Sequence, residues 1–165
     1  RPMRPSPTAV TAAFSRAAKA NTTGPPRGMS GQWVDALAAV PLFANVPKRH
    51  LRQIAKLAEQ VKVRAGAPVV YRTHSGREFF VVLEGTAVVR PASGLGHAIG
   101  PGDFFGEMSV IDGKPRSAAV RAETDMVLMM LGRRQFMQVV HDQPTVAVAI
   151  MDELAGRVRR LEGSA

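Results

Sequence analysis

The apolar positions of this 165-residue chain switch from helical to strand spacing and back again. Gln32 to Ala39 reads as a short helix stopped at Pro41, with Leu42 and Phe43 as core anchors. Pro47 suits the first turn of a second helix, on which Leu51, Ile54, Ala55 and Ala58 recur on one face. Lys48, Arg49, Arg52 and Lys56 fall elsewhere on that helix, as a solvated face would require rather than a nucleic-acid stripe. From Val61 to Leu131 short β-branched or apolar runs take over, at 61–63, 69–71, 79–83, 86–89, 118–121 and 126–131. Gly66, Gly76, Gly85, Gly94, Gly96 and Gly102 punctuate them, which suggests a small antiparallel roll or barrel. Arg133 to His141 returns to helical spacing, with Phe136, Val139 and Val140 apolar. A last helix starts at Pro144 and carries Ala147, Ile150, Met151, Leu154, Val158 and Leu161 as its apolar stripe. That stripe can dock on the domain or pair with a second copy, as a homodimer through the last helix.

The expected fold class is therefore α+β. The small antiparallel roll or barrel spans about 61–131. Helices flank it at about 32–60 and, as a C-terminal pair, at about 133–161. Residues 32–165 form one domain. Residues 1–31, rich in Pro, Ala, Thr and Gly, read as a flexible basic tail and linker, with at most a weak helix over Ala9 to Ala20.

Charge adds an anionic partner to this picture without choosing one. The net charge is +9, and residues 1–31 hold five of the basic residues and no acid. There is no cysteine, so thiolate chemistry is excluded. No apolar run approaches the roughly 18 residues of a spanning helix, so no membrane span is expected. The chain begins with Arg1 rather than Met, as a processed product or a piece of a longer protein would. His50, His74, His97 and His141 are scattered and His97 lacks a His-x-His partner, so no metal site is expected. No nucleophile stands beside a base, so no catalytic residues are assigned.

The chemistry concentrates between Gly100 and Val120. A Pro-Gly turn leads to Phe105-Gly106-Glu107, a brief helical pattern, a second turn, and Pro115-Arg116-Ser117-Ala118 entering a strand. Gly106 lets backbone approach a ligand closely. The segment from Glu107 presents free N–H groups where a phosphate is favoured. Arg116 can fold back onto the same anion as a planar fork. Glu107 is a carboxylate in an anion cradle, so it should face a hydroxyl donor such as a sugar. Phosphate and sugar together suggest a nucleotide. The competing structural reading of Arg116 is an ion pair with Asp103 or Glu84.

Phe105-Gly106-Glu107, Ser109 and Pro115-Arg116-Ser117-Ala118 resemble the phosphate-binding cassette of the cyclic nucleotide-binding domain family, at the family spacing. The likeness extends from about Trp33 to Leu161, and it implies an antiparallel, jelly-roll-like β-roll of about eight short strands flanked by helices. In part, as at Ala39-Val40-Pro41-Leu42-Phe43, it is similar to the cytoplasmic domain of bacterial cyclic-nucleotide-gated potassium channels. The resemblance implies that Arg116 pairs with the cyclic phosphate. Gly106, Met108, Ser109, Ser117 and Ala118 would complete the phosphate cradle, and Glu107 would accept from the ribose 2′-hydroxyl. Ser117 bears on base choice, and Arg157 either closes over the purine or faces solvent.

What the resemblance implies overall is a non-catalytic, cytoplasmic sensor. It would bind cyclic AMP, with cyclic GMP as the less favoured ligand, need no further cofactor, and reposition its C-terminal helices for a protein effector. The alternatives are a relative of catabolite activator-type regulators lacking the helix-turn-helix, or the detached cytoplasmic module of a channel. Only Glu162 to Ala165 follow the last helix, so no sequence-specific DNA binding is expected from this chain.

Overall fold

Two strands are buried on both faces, and they set the layering of the molecule. The computed structural model describes residues 30–72 and 75–163. The weak helix expected over 9–20, most of the 1–31 tail, and His74 lie outside them. In β3 (Glu78–Glu84) and β8 (Met126–Gly132) nearly every side chain is apolar, and alternation splits them between two cores. Phe79, Val81, Met129 and Leu131 face a helical layer. Phe80, Val82, Met126 and Leu128 face a second sheet. Met126 and Met129 are buried in these cores, and Met130 is partly buried against the second.

The described residues form eight strands in two antiparallel four-stranded sheets. One has the order β1 (Glu59–Val63), β8, β3, β6 (Phe104–Phe105). The other runs β2 (Pro68–Val70), β7 (Ala118–Ala122), β4 (Ala87–Pro91), β5 (His97–Ile99). Six of these strands follow the expected runs within one or two residues. β5 and β6 match no expected run: β5 is His-Ala-Ile with one buried side chain, and β6 is two residues long.

On the outer face of the first sheet pack α1 (Ser30–Ala38), a 3-10 turn at Pro41–Phe43, and α2 (Lys48–Leu57). α1 starts two residues before the expected Gln32, and Pro47 caps α2 rather than joining its first turn. α3 (Glu107–Asp112) lies between β6 and β7. α4 (Arg133–Asp142) and α5 (Pro144–Leu161) close the chain, joined at Gln143. The Gln143 side chain meets His50 Nδ1 of α2 at 2.6 Å, which ties the joint to the N-terminal helices.

α5 buries a different stripe from the one its sequence suggested. Val146, Ile150 and Leu154 face the core, while Met151, Val158 and Leu161 are exposed together with Val148. Part of the reason is rotational: the docked face is centred on the Val146, Ile150, Leu154 row, and Val148 and Met151 sit roughly 100° or more from its centre, whereas Val158 and Leu161 lie in the last turns of the helix. No helix among the described residues is long and apolar enough to cross a membrane.

Phe80 and Phe105 are directly opposed across β3 and β6, and their rings stack at 4.9 Å. Replacing Phe80 by Ala should cost about 3–5 kcal/mol, read as a lowered urea midpoint with an unchanged slope. A loss under about 1 kcal/mol would show that this ring is not a core anchor.

Candidate functional site

The register of β3 against β6 builds the site. Phe80 pairs with Phe105 and Val81 with Phe104. β6 ends there, and the chain turns into α3 against Glu78 of β3. Gly106 lies between, at φ 87°, in the left-handed region that disfavours any residue with a Cβ. A Cβ there would also stand 2.6 Å from the Glu78 carbonyl and 2.7 Å from Arg116 Nη1. The backbone reversal into α3 therefore needs glycine twice over, for conformation and for space. A second glycine in left-handed conformation, Gly113, ends α3 by donating its N–H to the Ser109 carbonyl at 2.9 Å.

Into this corner folds Arg116, only 5% exposed. Its Nη1 donates to the Gly106 carbonyl at 3.1 Å, and its Nη2 donates to the Glu78 carbonyl at 2.8 Å and to Glu78 Oε2 at 3.3 Å. Gly76 lies flat against the guanidinium, and a Cβ on it would overlap Nε. Nε is buried and has no hydrogen-bond partner among the described residues. Burial pushes the guanidinium pKa below its ordinary value, while the charges of Glu78 and Glu107 and the hydrogen bond to Glu78 oppose the shift. The ion pair of Arg116 is thus with Glu78, not with Asp103 or Glu84. Asp103 instead accepts from the Gly100 N–H at 2.8 Å and fixes the turn before β6.

Glu107 is 2% exposed, an unusual position for a carboxylate. Its Oε1 accepts from Arg157 Nη1 at 2.5 Å, so α5 reaches back across the site. Arg157 is in turn steadied by Glu153, four residues earlier on α5, at 3.5 Å. A third arginine, Arg133, donates its Nε to the Val110 carbonyl at 3.1 Å and joins α3 to the start of α4. Both C-terminal helices are thereby tied to α3 or its first residue.

Of the residues singled out from sequence, the fold gathers Gly106, Glu107, Arg116 and Arg157 into one corner. Ser109 is buried on α3, and Ala118 starts β7, half-buried. Met108 is 44% exposed, and the Ser117 hydroxyl lies 3.6 Å from its sulfur, at the outer rim. Sequence reasoning missed Gly76 and Glu78. Gly76 reads as one more turn glycine, and Glu78 falls just before the expected strand at 79–83. Only their contacts with the folded-in Arg116 reveal them. Among the described residues no three His, Asp or Glu side chains gather as metal ligands.

What the corner offers is a buried guanidinium with one unmatched N–H and a buried carboxylate a few residues from it. It suits a ligand carrying an anion and a hydroxyl. The comparisons agree. Residues 60–143 match the model of the cyclic nucleotide-binding domain. A cyclic nucleotide-gated potassium channel of Mesorhizobium japonicum is 36% identical over 111 residues, covering 67% of this chain and 31% of the channel. A cAMP-dependent protein kinase regulatory subunit of Aspergillus fumigatus is 31% identical over 106 residues, covering 63% of this chain and 26% of the subunit. The catabolite activator protein of Thermus thermophilus superimposes with a TM-score of 0.67 at 28% identity, over 74% of this chain and 60% of that one. The chain thus spans about a third or less of the curated relatives it matches. With eight antiparallel strands in two sheets, helices at both ends, and a family match over residues 60–143, this chain belongs to the cyclic nucleotide-binding domain family.

Proposed function

We propose that this domain is a non-catalytic cyclic nucleotide sensor, selective for cyclic AMP over cyclic GMP, that moves α4 and α5 on binding. The observation that carries the reading is Arg116, a buried guanidinium with an orphaned Nε beside the buried carboxylate of Glu107. A guanidinium stays charged in a protein, so its burial is costly unless anions and carbonyls meet it. The cyclic phosphate is the anion proposed for Arg116. The ribose 2′-hydroxyl is the donor proposed for Glu107. Gly106, Met108, Ser109, Ser117 and Ala118 supply the remaining phosphate contacts, chiefly through backbone amides.

The preference for cyclic AMP follows the Aspergillus relative, whose name is that of a cAMP-dependent subunit. Ser117, at the rim beside Met108, is the residue assigned to the base. The recipient of the signal is a protein effector, since the relatives are a channel and a kinase regulatory subunit. A module of a longer, channel-like protein is the second reading, supported by the 31% share of the Mesorhizobium channel that the chain covers.

The mechanism uses two arginine links. Arg133 couples α3 to α4, and Arg157 couples Glu107 to α5. A ribose hydroxyl arriving at Glu107 must share that carboxylate with Arg157 or displace it, so binding and the position of α5 are linked. Micromolar affinity is about 8 kcal/mol, and switching a population from 1:99 to 99:1 takes about 5.5 kcal/mol of differential binding. The scale is sufficient.

Calorimetric titration tests the ligand. The purified chain should bind cyclic AMP at micromolar concentration or better, with cyclic GMP weaker. Arg116→Ala should weaken binding roughly 10- to 100-fold, the loss of a charge-assisted pair. A folded protein that takes up neither nucleotide sinks the reading.

Hydrogen exchange tests the coupling. Arg157→Ala should lower the protection of Leu154–Leu161 in the free protein. It should also remove most of the change that ligand produces there. A ligand response equal to that of the unsubstituted chain would show that Arg157 does not transmit it.

A further inference from the structure

Arg116 already has an anion of its own. Glu78 Oε2 sits 3.3 Å from Nη2, and the backbone N–H of Arg77 holds the same oxygen at 3.0 Å. That second contact orients the carboxylate toward the guanidinium instead of leaving it to drift into water. Across the corner, Glu107 is taken up by Arg157. Two guanidiniums and two carboxylates therefore cancel, in a corner where Glu107 and Arg116 are almost completely buried. Any phosphate arriving at Arg116 shares it with Glu78.

Charge number then matters more than phosphate shape. A phosphodiester, cyclic or open, carries one negative charge. A terminal phosphomonoester has a second pKa near 6 and carries close to two at neutral pH. The first charge is met by Arg116. The second finds both guanidiniums of the corner engaged and two carboxylates close by. Like charges at short range in a partly desolvated site repel strongly.

We propose that Glu78 is a specificity-determining residue, an internal counter-charge that lets Arg116 accept a monoanionic phosphodiester and reject a dianionic phosphomonoester. The assignment rests on the cyclic nucleotide reading above and deepens it. It gives the sensor a means of ignoring linear nucleoside monophosphates, which carry the same base and sugar. It also gives Glu78 a task beyond packing, because its side chain is 28% exposed and its carboxylate is engaged by Arg116 and the Arg77 N–H.

The test is competition binding of cyclic AMP, 5′-AMP and the methyl phosphodiester of 5′-AMP to the full chain and to Glu78→Gln. The methyl ester is open like 5′-AMP but carries a single charge. In the unsubstituted chain the methyl ester should bind at least about fivefold more tightly than 5′-AMP. Equal affinities there would overturn the charge argument without recourse to any variant. Glu78→Gln, which keeps the size and an acceptor oxygen, should narrow the ratio of 5′-AMP to cyclic AMP dissociation constants by about fivefold or more. The ratio for the methyl ester should stay within about twofold. An unchanged 5′-AMP ratio, or an equal change for the methyl ester, removes Glu78 from this role while leaving the sensor reading intact. A chain that binds no cyclic nucleotide takes both down.

Discussion

The corner depends on keeping one arginine charged and out of water. Arg116 cannot shed its proton, and it is 5% exposed, so the fold must surround it with acceptors. It does so with backbone more than with side chains. Two carbonyls, of Gly106 and Glu78, and one carboxylate take the two Nη groups, while Nε has no acceptor among the described residues. Those carbonyls are available because Gly76 and Gly106 lack side chains where a Cβ would collide with the guanidinium. The carbonyl of Gly106 also receives the Val110 N–H at 3.4 Å, the first turn of α3. The orientation of α3 and the position of Arg116 are one structural fact.

That fact is anchored in the core. Phe105 immediately precedes Gly106 and stacks on Phe80, which is completely buried. The neighbouring Phe79 packs the other way, 4.9 Å from Phe136 of α4. Two adjacent residues of β3 therefore touch the turn that carries the site and the first C-terminal helix. A shift of the β3–β6 pairing by one residue would exchange the faces of the strand and move Glu78 away from the Gly106 turn. The aromatic stack guards the register on which the electrostatics of the corner depend.

Much of this was legible in the sequence, for identifiable reasons. The six strands that were expected carry apolar or β-branched runs bounded by turn residues, and the cassette residues stand in one continuous stretch with a recognisable spacing. The last helix was placed correctly at Pro144 but rotated wrongly. Apolar residues cover more than one face of it, and nothing local says which face docks. Arg157 was weighed between the purine and solvent. Its contact with Glu107 spans 50 positions and comes from packing α5 against the roll, which leaves no local trace. Glu78 was invisible for a related reason. Its contacts with Arg116 span 38 positions and arise only when the cassette folds onto β3. Residues whose roles follow from their neighbours in sequence were found, and residues whose roles follow from pairing at a distance were not.

A site in this state is nearly self-satisfied, and that bears on how it can signal. Arg116 has Glu78, and Glu107 has Arg157. On the proposed reading, a nucleotide does not simply add contacts to an open cradle; it exchanges with internal partners. Exchange lowers the affinity, since every new bond is offset by one given up. It also supplies the lever. An arginine released from Glu107 is an arginine on α5, and a carbonyl shifted at Val110 pulls on Arg133 at the start of α4. A cradle with no internal partners would bind more tightly and move nothing. The affinity given up in these exchanges is the free energy available to reposition the helices.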